Sequence, residues 1–516
     1  MTVPEKTAPD GPAEAICRAL RQGETPRALR LFHEAGGALF AFRHGYEPLG
    51  EILDLLPEDA WRADEAVLGA LVFYLVKQGR AARAQSFLNA EDLAFEKSRM
   101  FEIYPLLTAI HLGAVVSSER LAIWTHLERR LPVSDPLLEG LYHNAMLVLH
   151  VRLRSFDKAR ETAGRAISCY REAGHIYLEH FIHLHLADLD LVEGRLRAAR
   201  RGLRAAEHCL DESGMTFANE KDLIETIRLA IDYETGNYAH IPGRARQLRP
   251  GLLTGDSWAE LFVQLGRIAV LSLFFTEGRD AAEQELEQFQ ADYARRHGGS
   301  TAVFDLLAAL LYRLDWRPGD AERLFDAAAD APLQSAIGSV IRRELAIALG
   351  REAATPGEIT GPRGIVLDAL HDAGRTTGPA RRRAIERALR LAADESLMAP
   401  FLEHRDVFLG HSTRLANAGF ARGHRGLVRM TTATLARIDQ SYTLPQAARA
   451  LGLSHRQYRV ATALSSGASN KQIARQLGTS EATVKYHLTR LYRQFGASKR
   501  GELIDLMLEK SLLPIS

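Results

Sequence analysis

A short segment near the C-terminus places hydrogen-bonding side chains on one helical face. Over residues 481–495, apolar residues recur every three or four positions, the pattern of an amphipathic helix. Lys485, Tyr486, Thr489 and Arg493 fall away from that apolar stripe. A helix with a basic, hydrogen-bonding face, entered through a short turn, suits the major groove of DNA. The same pattern also fits a solvated face on an ordinary helical hairpin.

Further short helices and tight turns must hold this face in place. Ser454, Ser469 and Ser480 each precede a helical stretch, where a hydroxyl can accept a bond from the first-turn amides. Residues 478–480 form a three-residue turn, the length that joins the two helices of a helix-turn-helix. The sequence therefore predicts four helices, at residues 455–465, 470–477, 481–495 and 499–509.

This segment resembles the LuxR/NarL-type helix-turn-helix module, and the likeness covers about an eighth of the chain. The family pattern is close to L-[ST]-x-R-E-x-x-V-L-x-x-x-x-x-G-x-[ST]-N-K-x-I-A-x-x-L-x-[IL]-[ST]-x-x-T-V-K-x-H. The matching residues are Leu453, Ser454, Arg456, Val460, Gly467, Ser469, Asn470, Lys471, Ile473, Ala474, Leu477, Ser480, Thr483, Val484, Lys485 and His487.

Two positions depart from the family pattern. Gln457 stands where the family has a glutamate that pairs within the module. We expect weaker internal anchoring there, although an amide can still form a hydrogen bond. Tyr486 stands where a smaller residue is commoner, so the base preference of relatives does not carry over to this chain.

The resemblance implies two sets of DNA contacts, one that reads bases and one that fixes register. Residues implied to face base edges are Lys485, Tyr486 and Thr489. Residues implied to lie nearer the phosphates are Asn470, Lys471, Thr483, His487, Arg490, Arg493 and Lys499, with Ser498 and Arg500 as possible additions.

Composition bounds the class of protein. A chain of 516 residues is long enough for roughly three to four domains, and 46% hydrophobic with 25% charged residues is typical of a globular protein. No run of eighteen apolar residues and no signal peptide is recognised, and the three cysteines are widely spaced. We therefore expect a cytoplasmic protein without a membrane association.

The near-zero net charge hides an asymmetry. Residues 405–516 carry 17 Lys and Arg against 6 Asp and Glu, whereas residues 1–404 carry 48 against 58. A basic end on an acidic body localises nucleic-acid contact to that end and makes binding depend on salt. The same asymmetry would allow the body to attract its own basic end.

The long region before this module reads as helical throughout and contains a repeat. A helix ends at a small or turn residue, and an alanine opens the next helix a few residues later. From Gly79 this pattern recurs at residues 113, 154, 194, 236, 278 and 316. A period near 40 residues with two helices per unit predicts a curved stack of helical hairpins with a concave groove.

The repeat region resembles the tetratricopeptide-like sensor of MalT-type large LuxR regulators, through phrases such as Gly79-Arg-Ala-Ala-Arg-Ala and Gly194-Arg-Leu-Arg-Ala-Ala. Those regulators begin with a nucleotide-hydrolysing domain carrying G-x-x-x-x-G-K-[ST], and this chain has no such motif. We therefore expect no cofactor, and no catalytic set of residues stands out.

A histidine-rich stretch around residue 180 offers candidate ligand-binding groups. His180 and His183, with Tyr177, are predicted to line a ligand groove among apolar walls. The pairs His180 with His183 and Glu179 with His183 also have helical spacings that could hold a metal. Such residues more often line a helix interface, and we predict no metal site.

Together these features predict an all-α chain: a tetratricopeptide-like helical-repeat solenoid followed by a four-helix LuxR-type domain. We expect a disordered tail at 1–12, the repeat domain at 13–403, a linker at 404–450 and the DNA-binding domain at 451–516. The predicted function is a one-component, non-enzymatic transcriptional regulator. The expected partners are double-stranded DNA, a small-molecule or protein effector, RNA polymerase and a second copy of the chain. The alternative is a protein- or peptide-binding scaffold with an accessory DNA tether.

Overall fold

The computed structural model is helical in every regular element that it describes. It describes residues 11–112, 116–127, 135–215, 219–255, 257–297, 300–315, 317–328, 331, 333, 336–349, 361–376, 378–405, 448, 451–477, 479–510 and 512. Within those ranges no residue lies in a strand, which confirms the all-α prediction. The predicted tail, apart from residues 11 and 12, and most of the predicted linker lie outside the described residues, as do Gly113 and Trp316.

The first part of the repeat region has thirteen helices and two short 3-10 turns among the described residues. They are α1 (Pro12–Arg21), α2 (Thr25–Glu34), a 3-10 turn (Gly37–Leu39), α3 (Phe40–His44), α4 (Tyr46–Leu55), α5 (Ala60–Ala63), α6 (Glu65–Lys77), α7 (Ala81–Leu88), a 3-10 turn (Arg99–Glu102), α8 (Ile103–Leu112), α9 (Ser118–Leu127), α10 (Pro136–Arg152), α11 (Phe156–Glu172), α12 (Ile176–Val192) and α13 (Leu196–Ser213).

The remaining described helices belong to the second part of the repeats and to the C-terminal module. In the repeats these are α14 (Glu220–Glu234), α15 (Ile241–Thr254), α16 (Ala259–Thr276), α17 (Arg279–His297), α18 (Ala302–Leu314), α19 (Pro318–Ala328), α20 (Ala336–Ala348), α21 (Pro362–Arg375), α22 (Gly378–Ala393) and α23 (Ala399–Glu403). In the module these are α24 (His455–Ser465), α25 (Asn470–Gln476), α26 (Glu481–Phe495) and α27 (Arg500–Glu509).

The predicted repeat turns are left-handed residues that reverse the chain between paired helices. Gly79, Arg154, Gly194 and Gly236 all have positive φ, from 56° to 82°. After each of them, the next amide donates to the carbonyl five residues earlier, at 2.7 to 2.9 Å. This bond closes the end of the preceding helix and satisfies a terminal carbonyl. The helical-hairpin prediction is therefore confirmed where the structure describes the turns.

Within a hairpin the two helices play different parts. Every residue of α16 from Ala259 to Phe275 is buried, whereas its partner helix α17 buries only part of its surface. Helix α16 also has the length and composition of a membrane span, but 94% of it is buried inside the protein, as expected for a core helix. The first helices of the hairpins thus form the interior of the stack and the second helices form its outside.

A buried network of charges joins the last helices of the repeat region. Arg267 donates to Glu234 at 3.3 Å and to Glu403 at 2.6 Å. Arg363 binds the same two carboxylates, with 2.8 Å to Glu403, and also Glu344 at 3.4 Å. Both arginine side chains are only 2% exposed. Because each arginine binds more than one carboxylate, the network fixes α14, α16, α20, α21 and α23 relative to one another.

The C-terminal module has a hydrophobic core of its own. Val484, Leu488 and Leu491 of α26 pack with residues of the three other helices, including Leu464, Ile473 and Leu503. The apolar stripe predicted for α26 is therefore its buried face. All four predicted helices are present, with ends that differ from the prediction by at most one residue.

The charge network gives a stability prediction. Arg363→Met should destabilise the full chain by about 3–5 kcal/mol, because it leaves buried carboxylates without their partner. Arg382→Met, which removes an exposed arginine paired with Glu386 on α22, should cost less than about 0.5 kcal/mol. Urea unfolding followed by circular dichroism measures both variants, and equal costs would contradict the role given to the network.

Candidate nucleic-acid interface

Serine caps set where the helices of the module begin. The Ser480 hydroxyl accepts a bond from the amide of Thr483 at 3.1 Å, so α26 starts at Glu481. Ser469 accepts from the amide of Gln472 at 3.3 Å in the same way at the start of α25. Gly496 ends α26 in the left-handed conformation, with φ of 69°. These local interactions fix the length and start of the helix that carries the candidate contacts.

Gln457 forms two hydrogen bonds within the module, both with Ser454. Its side-chain oxygen accepts from the Ser454 amide at 2.8 Å, and its own amide donates to the Ser454 hydroxyl at 3.2 Å. This reciprocal pair is a capping box, in which glutamine serves as well as glutamate. The departure from the family pattern at this position therefore leaves the start of α24 anchored.

The side chains predicted to face base edges lie together on the outer surface of α26. Lys485, Tyr486 and Thr489 are all exposed, and Tyr486 exposes 56% of its surface. Arg490 donates to the Tyr486 hydroxyl at 3.3 Å and lies 5.7 Å from its ring centre. An exposed tyrosine held by an arginine presents both a ring and a cationic donor to a partner.

The side chains predicted to lie nearer phosphates are less uniform. Lys471, Arg490, Arg493 and Lys499 are exposed and carry fixed positive charge. Asn470, Thr483 and His487 are half-buried, and Thr483 also takes part in the helix cap. The four exposed cations can therefore attract an anionic backbone, whereas the half-buried residues also serve the fold.

The surroundings of His487 disfavour the charged form of its ring. Burial lowers the pKa of its ring, and the charges of Arg456 and Arg490 lower it further. Its Nδ1 atom is buried and has no hydrogen-bond partner among the described residues. The influence of Arg456 on His487 shows that this exposed arginine of α24 lies near α26. Sequence reasoning matched Arg456 to the family pattern but assigned it no contact.

Ser498 and Arg500 are engaged inside the module. Ser498 donates to Glu502 through both its amide, at 2.7 Å, and its hydroxyl, at 2.9 Å. Arg500 donates to the carbonyls of Leu464 and Ala468, at 3.0 and 2.7 Å. These bonds tie α27 to the end of α24. Of the charged residues 499 and 500, Lys499 is the exposed one.

Comparisons with known proteins agree with this geometry. Residues 451–507 match the family model described as bacterial regulatory proteins, luxR family. These residues form a luxR-family helix-turn-helix domain. The chain is also 38% identical over 63 residues to the transcriptional regulatory protein YdfI of Bacillus subtilis (strain 168). That match covers 12% of this chain and 30% of YdfI.

One face of the luxR-family domain lies against the repeats. Tyr458 is 1% exposed and belongs to the hydrophobic core of the module, whereas Arg459 is 7% exposed and lies outside that core. Burial raises the pKa of the Tyr458 hydroxyl, and so does the nearby charge of Asp315 at the end of α18. Helix α24 therefore faces the α18–α19 end of the repeats while α26 keeps its outer surface exposed.

The histidines predicted for a ligand groove occupy other places. The ring of His180 is completely buried and bonds to the carbonyl of Ala206 at 2.8 Å, within the α12–α13 hairpin. His183 lies beside Glu179 and Cys209. Tyr177 does line a cavity, together with Phe42, Lys77 and Trp258 among others. The structure thus places one of the three predicted groove residues at a cavity and two in helix packing.

Glu179, His183 and Cys209 form a group of potential metal-binding atoms within 4.8 Å of one another. Burial lowers the pKa of His183 and raises that of the Cys209 thiol. Glu179 already accepts a bond from Arg171 at 3.0 Å. The positive charge of that guanidinium would repel a metal ion at this place. Helix packing by itself therefore accounts for the three side chains lying together.

Arg500 provides a test that separates structural from DNA-facing arginines. Arg500→Met should reduce hydrogen-exchange protection in α24 and α27 by about 1–3 kcal/mol, since two bonds from a charged donor are lost. Arg493→Met, on the exposed face of α26, should change that protection by less than about 0.5 kcal/mol. Amide exchange measured by mass spectrometry on the full chain compares the two variants. A loss of protection in Arg493→Met as large as that in Arg500→Met would remove the distinction.

Proposed function

We propose that this chain is a one-component transcriptional regulator that binds double-stranded DNA through its luxR-family domain and receives its signal through the helical repeats. The observation that carries the proposal is the outer face of α26, where Lys485, Tyr486 and Thr489 are exposed within a domain of that family. Such a face, at the width of one helix, suits the major groove.

Binding to DNA divides between two kinds of contact. Lys485, Tyr486 and Thr489 read base edges, while Lys471, Arg490, Arg493 and Lys499 hold the backbone from the flanks. A single short helix reads few base pairs, so two copies of the chain bind a two-fold operator together. RNA polymerase is a further partner of the DNA-bound form. The positive charge of the C-terminal region supports this arrangement because it is opposed by few carboxylates.

A mostly apolar cavity among the inner helices supports a small-molecule signal over an extended peptide. Its walls are mostly aromatic and aliphatic, with a few polar groups, as in ligand pockets. A peptide-binding scaffold would instead need a long, open, polar groove. The effector therefore binds inside the repeats and acts on DNA binding through the contact between the repeats and the module.

The contact at Tyr458 gives a route for that action. It leaves the recognition face exposed, so docking does not block DNA by covering α26. Docking instead sets the orientation of the module relative to the repeats. In a dimer, that orientation decides whether two recognition helices reach adjacent half-sites. A ligand acts through this contact to the extent that it binds the docked and undocked states with different affinities.

The division of DNA contacts is testable with lysine variants. Lys485→Ala should lose about 1–3 kcal/mol of preference for a specific site. Lys471→Ala should weaken binding to all sequences and reduce the salt dependence by about one phosphate contact. Lys158→Ala, an exposed lysine of α11, is the matched control and should leave both unchanged. Gel-shift titrations on genomic fragments across salt concentrations measure these effects, and operator binding by Lys485→Ala as tight as the parent's at matched salt would refute the proposal.

The docking contact is testable without DNA. Tyr458→Ala should increase hydrogen exchange both in α24 and in residues 302–328 of the repeats, because each surface loses its cover. Tyr486→Ala removes an exposed tyrosine from the same module and should leave exchange in residues 302–328 unchanged. If Tyr458→Ala leaves those residues as protected as in the parent chain, the two surfaces do not dock.

A further inference from the structure

The inner helices of the first repeats converge on a cavity. It is lined by side chains from α3, α4, α6, α8, α10 and α12 and by Trp258 just before α16. Its volume is about 80 Å³. Aromatic rings form much of the wall: Phe42 and Phe73 have centres 5.0 Å apart, and Tyr177 and Phe181 have centres 5.5 Å apart. An apolar, ring-rich wall favours a ligand that is itself flat and apolar.

A larger opening adjoins this cavity. It has a volume of about 640 Å³ and is lined by polar groups that include Arg43, Asp135 and Glu212. Phe42 and Tyr177 line both spaces, so these two rings form the wall between them. Tyr177 is held by bonds to Lys77 and Glu220, whereas Phe42 is bound through its backbone carbonyl, which accepts from His175 at 2.7 Å. The ring of Phe42 packs edge-on against Tyr46 and Phe73.

The charges in the cavity wall are already neutralised. The Lys77 ammonium donates to Glu220 at 2.9 Å and to Tyr177 at 2.7 Å, and it also lies 4.9 Å from the ring centre of Phe181. Burial lowers the pKa of His185 to about 3, so its imidazole is neutral at physiological pH. A neutral imidazole offers one donor and one acceptor nitrogen. Burying a charged ligand here would cost free energy, because no unpaired opposite charge in the wall would compensate for its loss of hydration.

We infer that this cavity is the effector site and that it takes an uncharged, ring-containing molecule with a small hydrogen-bonding group, of the phenol class. The ring lies among Phe73, Phe181 and Trp258, and its polar group bonds to His185. This inference rests on the proposed function for its regulatory meaning, but the binding site stands on its own geometry.

Cavity size sets how the ligand enters. An engineered apolar cavity of about 150 Å³ holds one benzene ring, which is more than the inner cavity offers. One ring therefore fits only when the wall that Phe42 and Tyr177 share with the larger opening moves outward. A substituent on the far side of the ring then extends into that polar opening, where Arg43 and Glu212 lie.

The experiment uses the full chain labelled with 5-fluorotryptophan and followed by fluorine NMR. The sequence has 4 tryptophans, of which Trp258 lines the cavity and Trp124 is a buried residue of α9 away from it. Trp258→Phe and Trp124→Phe assign the two resonances while keeping an aromatic ring at each site. The probes are phenol and benzoate, which have similar size and differ in charge at neutral pH.

Phenol should shift the Trp258 resonance in a saturable manner and leave that of Trp124 in place. Benzoate should bind at least about tenfold more weakly, because its carboxylate would be buried without a partner. An unmoved Trp258 resonance, or equal affinity for the two probes, would overturn the inference. Both results come from the parent chain, so the folding of a variant does not decide them.

Gel shifts with and without phenol separate this inference from the proposed function. If phenol does not shift the Trp258 resonance but the chain binds DNA with sequence selectivity, the proposed effector site is refuted and the proposed regulatory function is not. If phenol binds saturably but the chain shows no sequence-selective DNA binding, ligand binding in the cavity is supported and the proposed regulatory function is refuted.

Discussion

The buried pairing of Arg267 and Arg363 with Glu234 and Glu403 is the constraint on which the end of the repeat region depends. Buried charges of this kind are tolerated only when each has partners, so the four helices that supply them must pack together. Glu403 is the last residue of α23 and also accepts a bond from Tyr233 at 2.8 Å. Its backbone carbonyl and that of Leu314 accept bonds from Arg313 and Arg405. The network therefore fixes the point at which the chain leaves the repeats, beside the end of α18.

The same end of α18 meets the luxR-family domain. Asp315 follows α18 directly and influences Tyr458 of α24. The exit of the chain from the repeats and the docking surface of the module are thus neighbours in the structure. Since α26 stays exposed in this arrangement, the acidic repeats do not cover its outer face.

Two inner helices connect the cavity to the charge network. Helix α14 begins at Glu220, which pairs with Lys77 in the cavity wall, and ends at Glu234 in the network. Helix α16 begins one residue after Trp258 and carries Arg267. Each helix is a rigid rod, so a displacement at its start moves its other end. The cavity and the exit of the chain therefore share structural elements, which is a physical condition for coupling between them.

The sequence by itself determined the helical hairpins, the four helices of the module and the exposed face of α26. These follow from local rules, since left-handed turn residues, serine caps and apolar spacing act over a few residues. It did not determine the cavity, because Phe42, Lys77, Tyr177 and Trp258 are far apart in the chain and meet only when the repeats stack. Tertiary packing likewise places His180 beside Ala206 and His183 beside Cys209, in the α12–α13 hairpin. The approach of Tyr458 to Asp315 also brings together regions that no local pattern relates.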